Sequence, residues 1–327
     1  MKLATLDDGS RDGQLVVVAR DLRHAHYATA IATRLQQVLD DWNFLSPQLE
    51  ELARALDAGR ARHAFEFDPR RCLAPLPRAP QWVHGSSLNP LELARKPRNA
   101  ALPAGFAVEP PMSQRASDDL QGACADARIA DEAWGIDFGA GVAVVTGDVE
   151  IGVSPETALE SVRLVLLVND WSLRERIAAE LAQGCGVVQG KPAAAFGPVA
   201  VTPDELGDAW RDGRVHLPLE LRRNGSPFGR CEDGAGMSLH FGELIAHVAT
   251  TRRLRAGSIV GSGTAGNPDA SDGCCSIAEA RAIETIRSGT PATAYLRFGD
   301  TVRIEMRDRD GRSVFGAIEQ RVVGLGG

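Results

Sequence analysis

Short apolar runs broken by turn residues open the chain. Lys2 to Leu6 and Gln14 to Ala19 flank Asp7-Asp8-Gly9-Ser10-Arg11-Asp12-Gly13, whose glycines and aspartates suit a tight reversal, so the segment predicts a β-hairpin. Tyr27 to Leu39 and Pro47 to Leu56 then switch to helical spacing, with Ser46 placed as an N-cap and Pro47 as the first helical residue. The prolines of Leu73-Ala74-Pro75-Leu76-Pro77-Arg78-Ala79-Pro80 read as an extended linker. This divides the chain into a small N-terminal α/β domain (1–73), a linker (74–80) and a larger C-terminal domain (81–327).

Beyond the linker, Pro103 to Pro111 has no periodicity, and strand-like runs follow at Val142 to Thr146, Leu164 to Val168, Val215 to Arg222 and Val302 to Met306. The third of these alternates apolar and polar residues and leads into Asn224-Gly225, a strong hairpin signal. Helical spacing returns at Leu173 to Leu181, Phe241 to Thr250 and Ile277 to Ser288. Strands outnumber helices and lack regular crossovers, which predicts an α+β fold rather than a doubly wound sheet.

With 327 residues, the chain can bury a large core. A net charge of −7 leaves no basic excess to neutralise phosphates, which argues against nucleic-acid and anionic-membrane partners. No apolar run reaches spanning length, and Met1 to Asp8 lacks the basic and apolar regions of an export signal, so a cytoplasmic protein is expected. Six cysteines (Cys72, Cys124, Cys185, Cys231, Cys274 and Cys275) have no Cys-x-x-Cys spacing, so neither a zinc site nor a disulfide framework is expected. Cys274 and Cys275 are read as reduced packing residues. His24 and His26, near a predicted helix start, are read as surface or capping residues. Gly261 to Gly266 lacks the Lys-Ser/Thr ending of a P-loop, and Ser86-Ser87 lacks a nucleophile elbow.

Several dispersed blocks carry the chemistry: Ile136-Asp137-Phe138-Gly139-Ala140-Gly141, Leu166-Leu167-Val168-Asn169-Asp170-Trp171-Ser172-Leu173-Arg174-Glu175, Gln189-Gly190-Lys191-Pro192 and Gly261-Ser262-Gly263-Thr264-Ala265-Gly266-Asn267. In this order they resemble the fumarylacetoacetate hydrolase family, over residues 75 to 324. The resemblance implies a mixed β-roll with flanking helices, a homodimer, and hydrolysis of a carbon–carbon bond in a β-dicarbonyl acid with the help of magnesium or calcium. Such a cation takes about six oxygen ligands, and the family supplies four carboxylates, two of them from Asp-Phe-Glu-x-Glu. Glutamates two apart on a strand share one face. Here those two positions are Gly139 and Gly141, which supply no ligand atoms.

The family segment Asp-Gly-Ser-x-Tyr-x-x-His corresponds to Gln81-Trp82-Val83-His84-Gly85-Ser86-Ser87-Leu88-Asn89-Pro90-Leu91-Glu92-Leu93. His84 stands at the aspartate position, the tyrosine is absent, and Pro90 falls at the histidine that activates water. Asp170 is the one carboxylate ligand left, too few for a hard cation, so no metal cofactor is expected. His84 is open to three readings: a loop histidine, a substituted acid/base or a metal ligand.

The resemblance also assigns retained residues. Arg174 and Lys191 match cations that stabilise an enolate or oxyanion, a role that needs no metal, although Arg174 could equally form a salt bridge with Glu175 or a neighbour. Thr264 matches the contact to the substrate carboxylate, with Gly263 and Asn169 beside the same pocket, and Glu279 matches the glutamate that orients base and water. Restoring Gly139→Glu with Gly141→Glu is expected to bring two carboxylates to Asp170. Two functions fit: a metal-independent enzyme acting on a small β-dicarbonyl or enol acid, by tautomerisation, decarboxylation, condensation or C–C cleavage, or a non-catalytic pseudoenzyme that binds such a carboxylate or regulates an intact homologue.

Overall fold

In the computed structural model, which describes residues 1–85, 109–184, 186–267 and 273–326, the strand Val162–Asn169 is buried on both faces. Leu164, Leu166 and Val168 point one way, towards Leu3, Leu15, Val17 and helix residues Val38, Leu49 and Leu56. Val165 and Leu167 point the other way, into a core shared with Leu219, Ile304, Ile318 and Val322. Its near-continuous apolar sequence follows, because neither face meets water.

This strand lies in a large mixed sheet whose order is Phe65–Glu66, His24–Tyr27, Gln14–Val18, Lys2–Leu6, Ala200–Val201, Val162–Asn169, Ala140–Thr146, Ile259–Gly261, Trp82–His84, Ser113–Arg115. The pairings are antiparallel except for Ile259–Gly261 with Trp82–His84. A second sheet runs Ser226–Glu232, Pro218–Arg223, Thr301–Met306, Ile318–Val323, Ala127–Arg128 and covers one face of the first. Helices Leu35–Asp40 and Trp42–Asp57 cover the other. The fold is thus α+β with mixed sheets. Its N-terminal strands extend the same sheet as the strands beyond the linker, through Lys2↔Val201 and Leu3↔Ala200. Residues 74–80 are extended and packed, with Ala74 and Leu76 buried, and Thr5 Oγ1 donates to the Pro75 carbonyl at 2.6 Å. No described helix is long and apolar enough to cross a membrane.

The first hairpin forms as expected, with Lys2–Leu6 paired in full to Gln14–Val18. The predicted helix Tyr27 to Leu39 does not form as one element. His24–Tyr27, and with it His24 and His26, is a strand paired to Gln14–Val18, and helix begins only at Leu35. An open strand edge outcompetes weak helical spacing here, and the helix that does form buries Leu35, Val38 and Leu39. The helix placed at Pro47 starts earlier, at Trp42, so Ser46 is a buried helical residue rather than a cap. Pro47 forgoes one backbone bond inside it, while Leu49, Ala53 and Leu56 bury a common stripe. Val215 to Arg222 splits into Arg214–Val215 and Pro218–Arg223, since the N–H of His216 turns away to the Ala209 carbonyl and Pro218 has none to give.

The cysteine expectation is corrected. Cys231, on Ser226–Glu232, and Cys275, just before helix Ile277–Ser288, form a disulfide with Cα atoms 6.2 Å apart. A side chain at Gly229 would overlap the Cys274 carbonyl, so this glycine lets the two segments meet. Such an approach between distant segments leaves no trace in cysteine spacing. Cys274 stays a buried free thiol.

Asn224 and Gly225 join Pro218–Arg223 to Ser226–Glu232 with φ of 51° and 77°. Both are left-handed, as a primed hairpin turn requires. Nothing lies within 4 Å of a Cβ added at Gly225, so the cost of replacing it is conformational alone. Gly225→Ala should destabilise the fold by about 1 kcal/mol, read as a lower urea midpoint at unchanged m-value.

Candidate functional site

Four neighbouring strands end together. Asn169 pairs with Ala140 and Val168 with Gly141, which sets Asp170 beside Gly139. Asp170 N–H donates to the Gly139 carbonyl at 2.8 Å, and Gly139 N–H donates to Asn169 Oδ1 at 3.2 Å. On the other side of Ala140–Thr146, Gly261 pairs with Ala143 and the chain continues along it, with Ala265 N–H donating to the Ala140 carbonyl at 2.8 Å. Gly261 also pairs with His84, and His84 with Ser113, two residues before Arg115. Residues far apart in sequence therefore meet at one sheet end.

At its centre is Asp170, 1% exposed. Arg115 grips both of its oxygens, Nε to Oδ1 at 3.2 Å and Nη2 to Oδ2 at 3.3 Å. Lys191 Nζ donates to Oδ2 at 2.5 Å and to Ser172 Oγ at 2.6 Å. Arg115 also donates from Nη1 to Ser113 Oγ. Burial works against the charged carboxylate, but Lys191 and Arg115 outweigh it and hold Asp170 well below the usual carboxylate range. The same burial, only partly offset by Asp170, lowers Lys191 to about 8, which leaves it protonated at neutral pH.

His84 lies with Nε2 3.7 Å from Asp170 Oδ2. Burial lowers its pKa to about 3, with Arg115 and Lys191 adding to that shift against Asp170, so the ring is neutral at pH 7. Neither ring nitrogen has a hydrogen-bond partner among the described residues. His84 is thus no loop residue but part of the buried cluster, on strand Trp82–His84.

Arg174 lies elsewhere. Its Nε donates to Asp137 Oδ2 at 2.7 Å, and it is 27% exposed. Asp137 also accepts the N–H groups of Ile277 and Ala278 at 2.7 and 3.0 Å, so the pair ties strand Ile136–Asp137 to the start of helix Ile277–Ser288. The salt bridge open to Arg174 in the sequence is realised, with Asp137 rather than Glu175 as its partner. Asn169 is fully buried and braces Gly139. Thr264 and Gly263 face Gly139 and Gly141. Glu279, third in its helix, accepts the Cys275 N–H at 2.9 Å through Oε2, while Oε1 has no partner among the described residues. Burial raises its pKa to about 7, against the pull of the Cys275 hydrogen bond and with help from Asp137.

Three participants escaped the sequence reading. Ser172 and Asp137 stood inside quoted blocks without a role. Arg115 carried no signal at all, because its partner is 55 residues away and only the pairing of Ser113–Arg115 with Trp82–His84 delivers it. Pro90, and with it Ser86 to Leu93, lies outside the described residues.

The described residues do not fit a hard divalent cation. No group of three or more His, Cys, Asp or Glu side chains converges among them, and the Asp170 oxygens already face two cations. Nor is there space for carboxylate side chains at Gly139 and Gly141. A Cβ at Gly139 would lie 2.7 Å from Thr264 Oγ1 and 3.2 Å from the Asp170 carbonyl, and one at Gly141 would overlap the Gly263 carbonyl. The expected rebuilding of a carboxylate pair by Gly139→Glu with Gly141→Glu therefore meets a steric obstacle.

A mixed sheet ending in a buried ionic cluster defines a class that comparison with known proteins identifies. Residues 83–323 match the fumarylacetoacetate (FAA) hydrolase C-terminal model, and residues 1–78 match fumarylacetoacetase N-terminal domain 2. The chain belongs to the fumarylacetoacetate hydrolase family. Solved structures share its fold over nearly their whole length. They include a fumarylacetoacetate hydrolase from Exiguobacterium antarcticum (18% identity, 99% of each chain, TM-score 0.67) and maleylpyruvate hydrolase from Sphingobium sp. SYK-6 (15%, 99% of this chain and 100% of that one, TM-score 0.66). A third is 2-hydroxyhepta-2,4-diene-1,7-dioate isomerase from Mycobacterium marinum (16%, 100% of each chain, TM-score 0.61). No curated protein matches the sequence.

Two outcomes test this geometry. Gly141→Ala must push back the Gly263 backbone, and should cost about 1–3 kcal/mol in urea unfolding. Glu279 binds its proton more tightly folded than unfolded, so its favourable contribution is complete below the unfolded pKa of about 4.3 and is lost as pH rises through about 7. Between pH 4.5 and 8 the native protein should lose on the order of 2–4 kcal/mol relative to Glu279→Gln. A stability difference between the two that stays flat with pH would mean that the carboxyl titrates normally.

Proposed function

We propose that the protein acts on a small β-dicarbonyl or enol acid by metal-independent enolate chemistry: tautomerisation, decarboxylation, condensation or C–C cleavage. The observation that carries this reading is Lys191, a buried ammonium fixed on Asp170 at 2.5 Å and on Ser172 at 2.6 Å. Two of its three protons are spoken for and one remains for a ligand oxygen. A cation held in place before the substrate arrives stabilises an enolate oxygen without reorganisation. Arg174, though bound to Asp137, adds positive potential at Lys191.

His84 supplies the proton carrier. In the free site its ring is a weak base, since burial disfavours the charged form. An anionic substrate beside it would favour imidazolium and bring its pKa towards the range useful for proton transfer. His84 then takes a proton from the carbon between two carbonyls as the enolate forms on Lys191, and returns it to carbon or oxygen. In this reading Thr264 and the Gly263 backbone orient the carboxylate. The names of similar structures, a hydrolase of maleylpyruvate and an isomerase of a hydroxydienedioate, support the substrate class.

The crowding at Gly139 and Gly141 favours a second reading, a non-catalytic protein that binds such an acid or partners an intact homologue. One experiment separates the two. Acylpyruvates and related enol acids are followed by their enol absorbance in excess chelator. Turnover that survives chelation and falls about 10²–10³-fold in Lys191→Met supports the enzyme. Turnover that appears only with added magnesium or manganese sinks the metal-independent mechanism. Binding without turnover supports the second reading.

A further inference from the structure

The buried cluster carries more positive charge than it needs. Arg115 and Lys191 are 7% and 12% exposed, Asp170 is the carboxylate that ion-pairs with them among the described residues, and His84 is neutral. One net positive charge is left in a site nearly closed to water. Such a charge is costly unless an anion joins it.

The donors point the same way. A guanidinium has five N–H groups. In Arg115 three of them are engaged, by the two Asp170 oxygens and Ser113 Oγ, so one proton on each of Nη1 and Nη2 has no partner among the described residues. Lys191 has one more. The unpartnered nitrogens of fully buried His84 add an acceptor and a donor within the same cluster.

We propose that Arg115 is the principal ligand-binding cation of this site: docked on Asp170, its guanidinium takes two oxygens of an α-oxo or enol carboxylate, doing with a fixed side chain what a divalent cation on that aspartate would do. The planar fork of arginine matches two adjacent oxygens, which a point charge such as lysine does not. The ligand is thus a planar vicinal dioxygen anion, with Lys191 on the same oxygen edge. The inference rests on the enol-acid reading of the pocket but concerns binding, so it survives if no turnover is found.

Oxalate, a planar vicinal dioxygen anion, is the probe, titrated calorimetrically into the full chain in excess chelator. Wild type should bind one oxalate per chain, with no strengthening when magnesium replaces the chelator. Arg115→Lys keeps the charge opposite Asp170 but loses the fork, and should weaken oxalate about 10-fold or more at an unchanged melting temperature. Arg115→Ala should weaken it further, with recovery in millimolar guanidinium. If Arg115→Ala does not fold, Arg115→Lys alone decides. No oxalate binding by wild type, binding that requires magnesium, or equal affinity in wild type and Arg115→Lys would each overturn the proposal.

Discussion

Asp170 sits where the two longest strands of the main sheet end, and a carboxylate this enclosed stays ionised only if cations are brought to it. That requirement organises the site. Lys191 must come from beyond helix Arg174–Ala182, and Arg115 from the far edge of the sheet, across Trp82–His84 and Ile259–Gly261. Each strand between them therefore has its register set by a buried charge as well as by apolar packing. A slip of one residue would turn Arg115 to the opposite face and leave Asp170 short of a partner.

Much of the fold was legible because apolar periodicity reports burial. Leu164 to Val168 is apolar throughout because both faces are covered, and helix Ile277–Ser288 begins at Ser276 and ends at Gly289, residues that cap by local chemistry. Errors arose where a tertiary edge decided the outcome: His24–Tyr27 became a strand because Gln14–Val18 offered it unpaired backbone groups. The cysteine pair was illegible for a related reason, since Gly229 and Cys274 must touch before Cys231 and Cys275 can.

The site divides in the same manner. Asp170 and Lys191 could be recognised because they sit in contiguous blocks, and the structure brings them together. Arg174, from the same block, is carried by the first turn of its helix to Asp137 instead. A motif fixes which residues leave a strand end but not which partner each finds, since that depends on segments arriving from elsewhere. Arg115 is the clearest case: one arginine after two prolines has no recognisable pattern, and its role exists only in the assembled sheet.

Gly139 and Gly141 decide how closely the neighbouring segment can approach. Without side chains there, the Gly263–Thr264 segment lies against the strand, and its backbone fills the space into which carboxylates would project. The two segments are tied at this spacing by the Ala265 N–H to Ala140 and the Ser262 N–H to Val142. At this spacing neither position has room for a side chain, and the Asp170 carboxylate beside them is already held by Arg115 and Lys191. An ammonium fixed as Lys191 is would favour an enolate on a carbonyl oxygen placed beside it, whatever cation stands on the other side. Asp170, Arg115, Lys191 and His84 therefore form one connected set with the two glycines, since the Asp170 N–H is itself held on the Gly139 carbonyl.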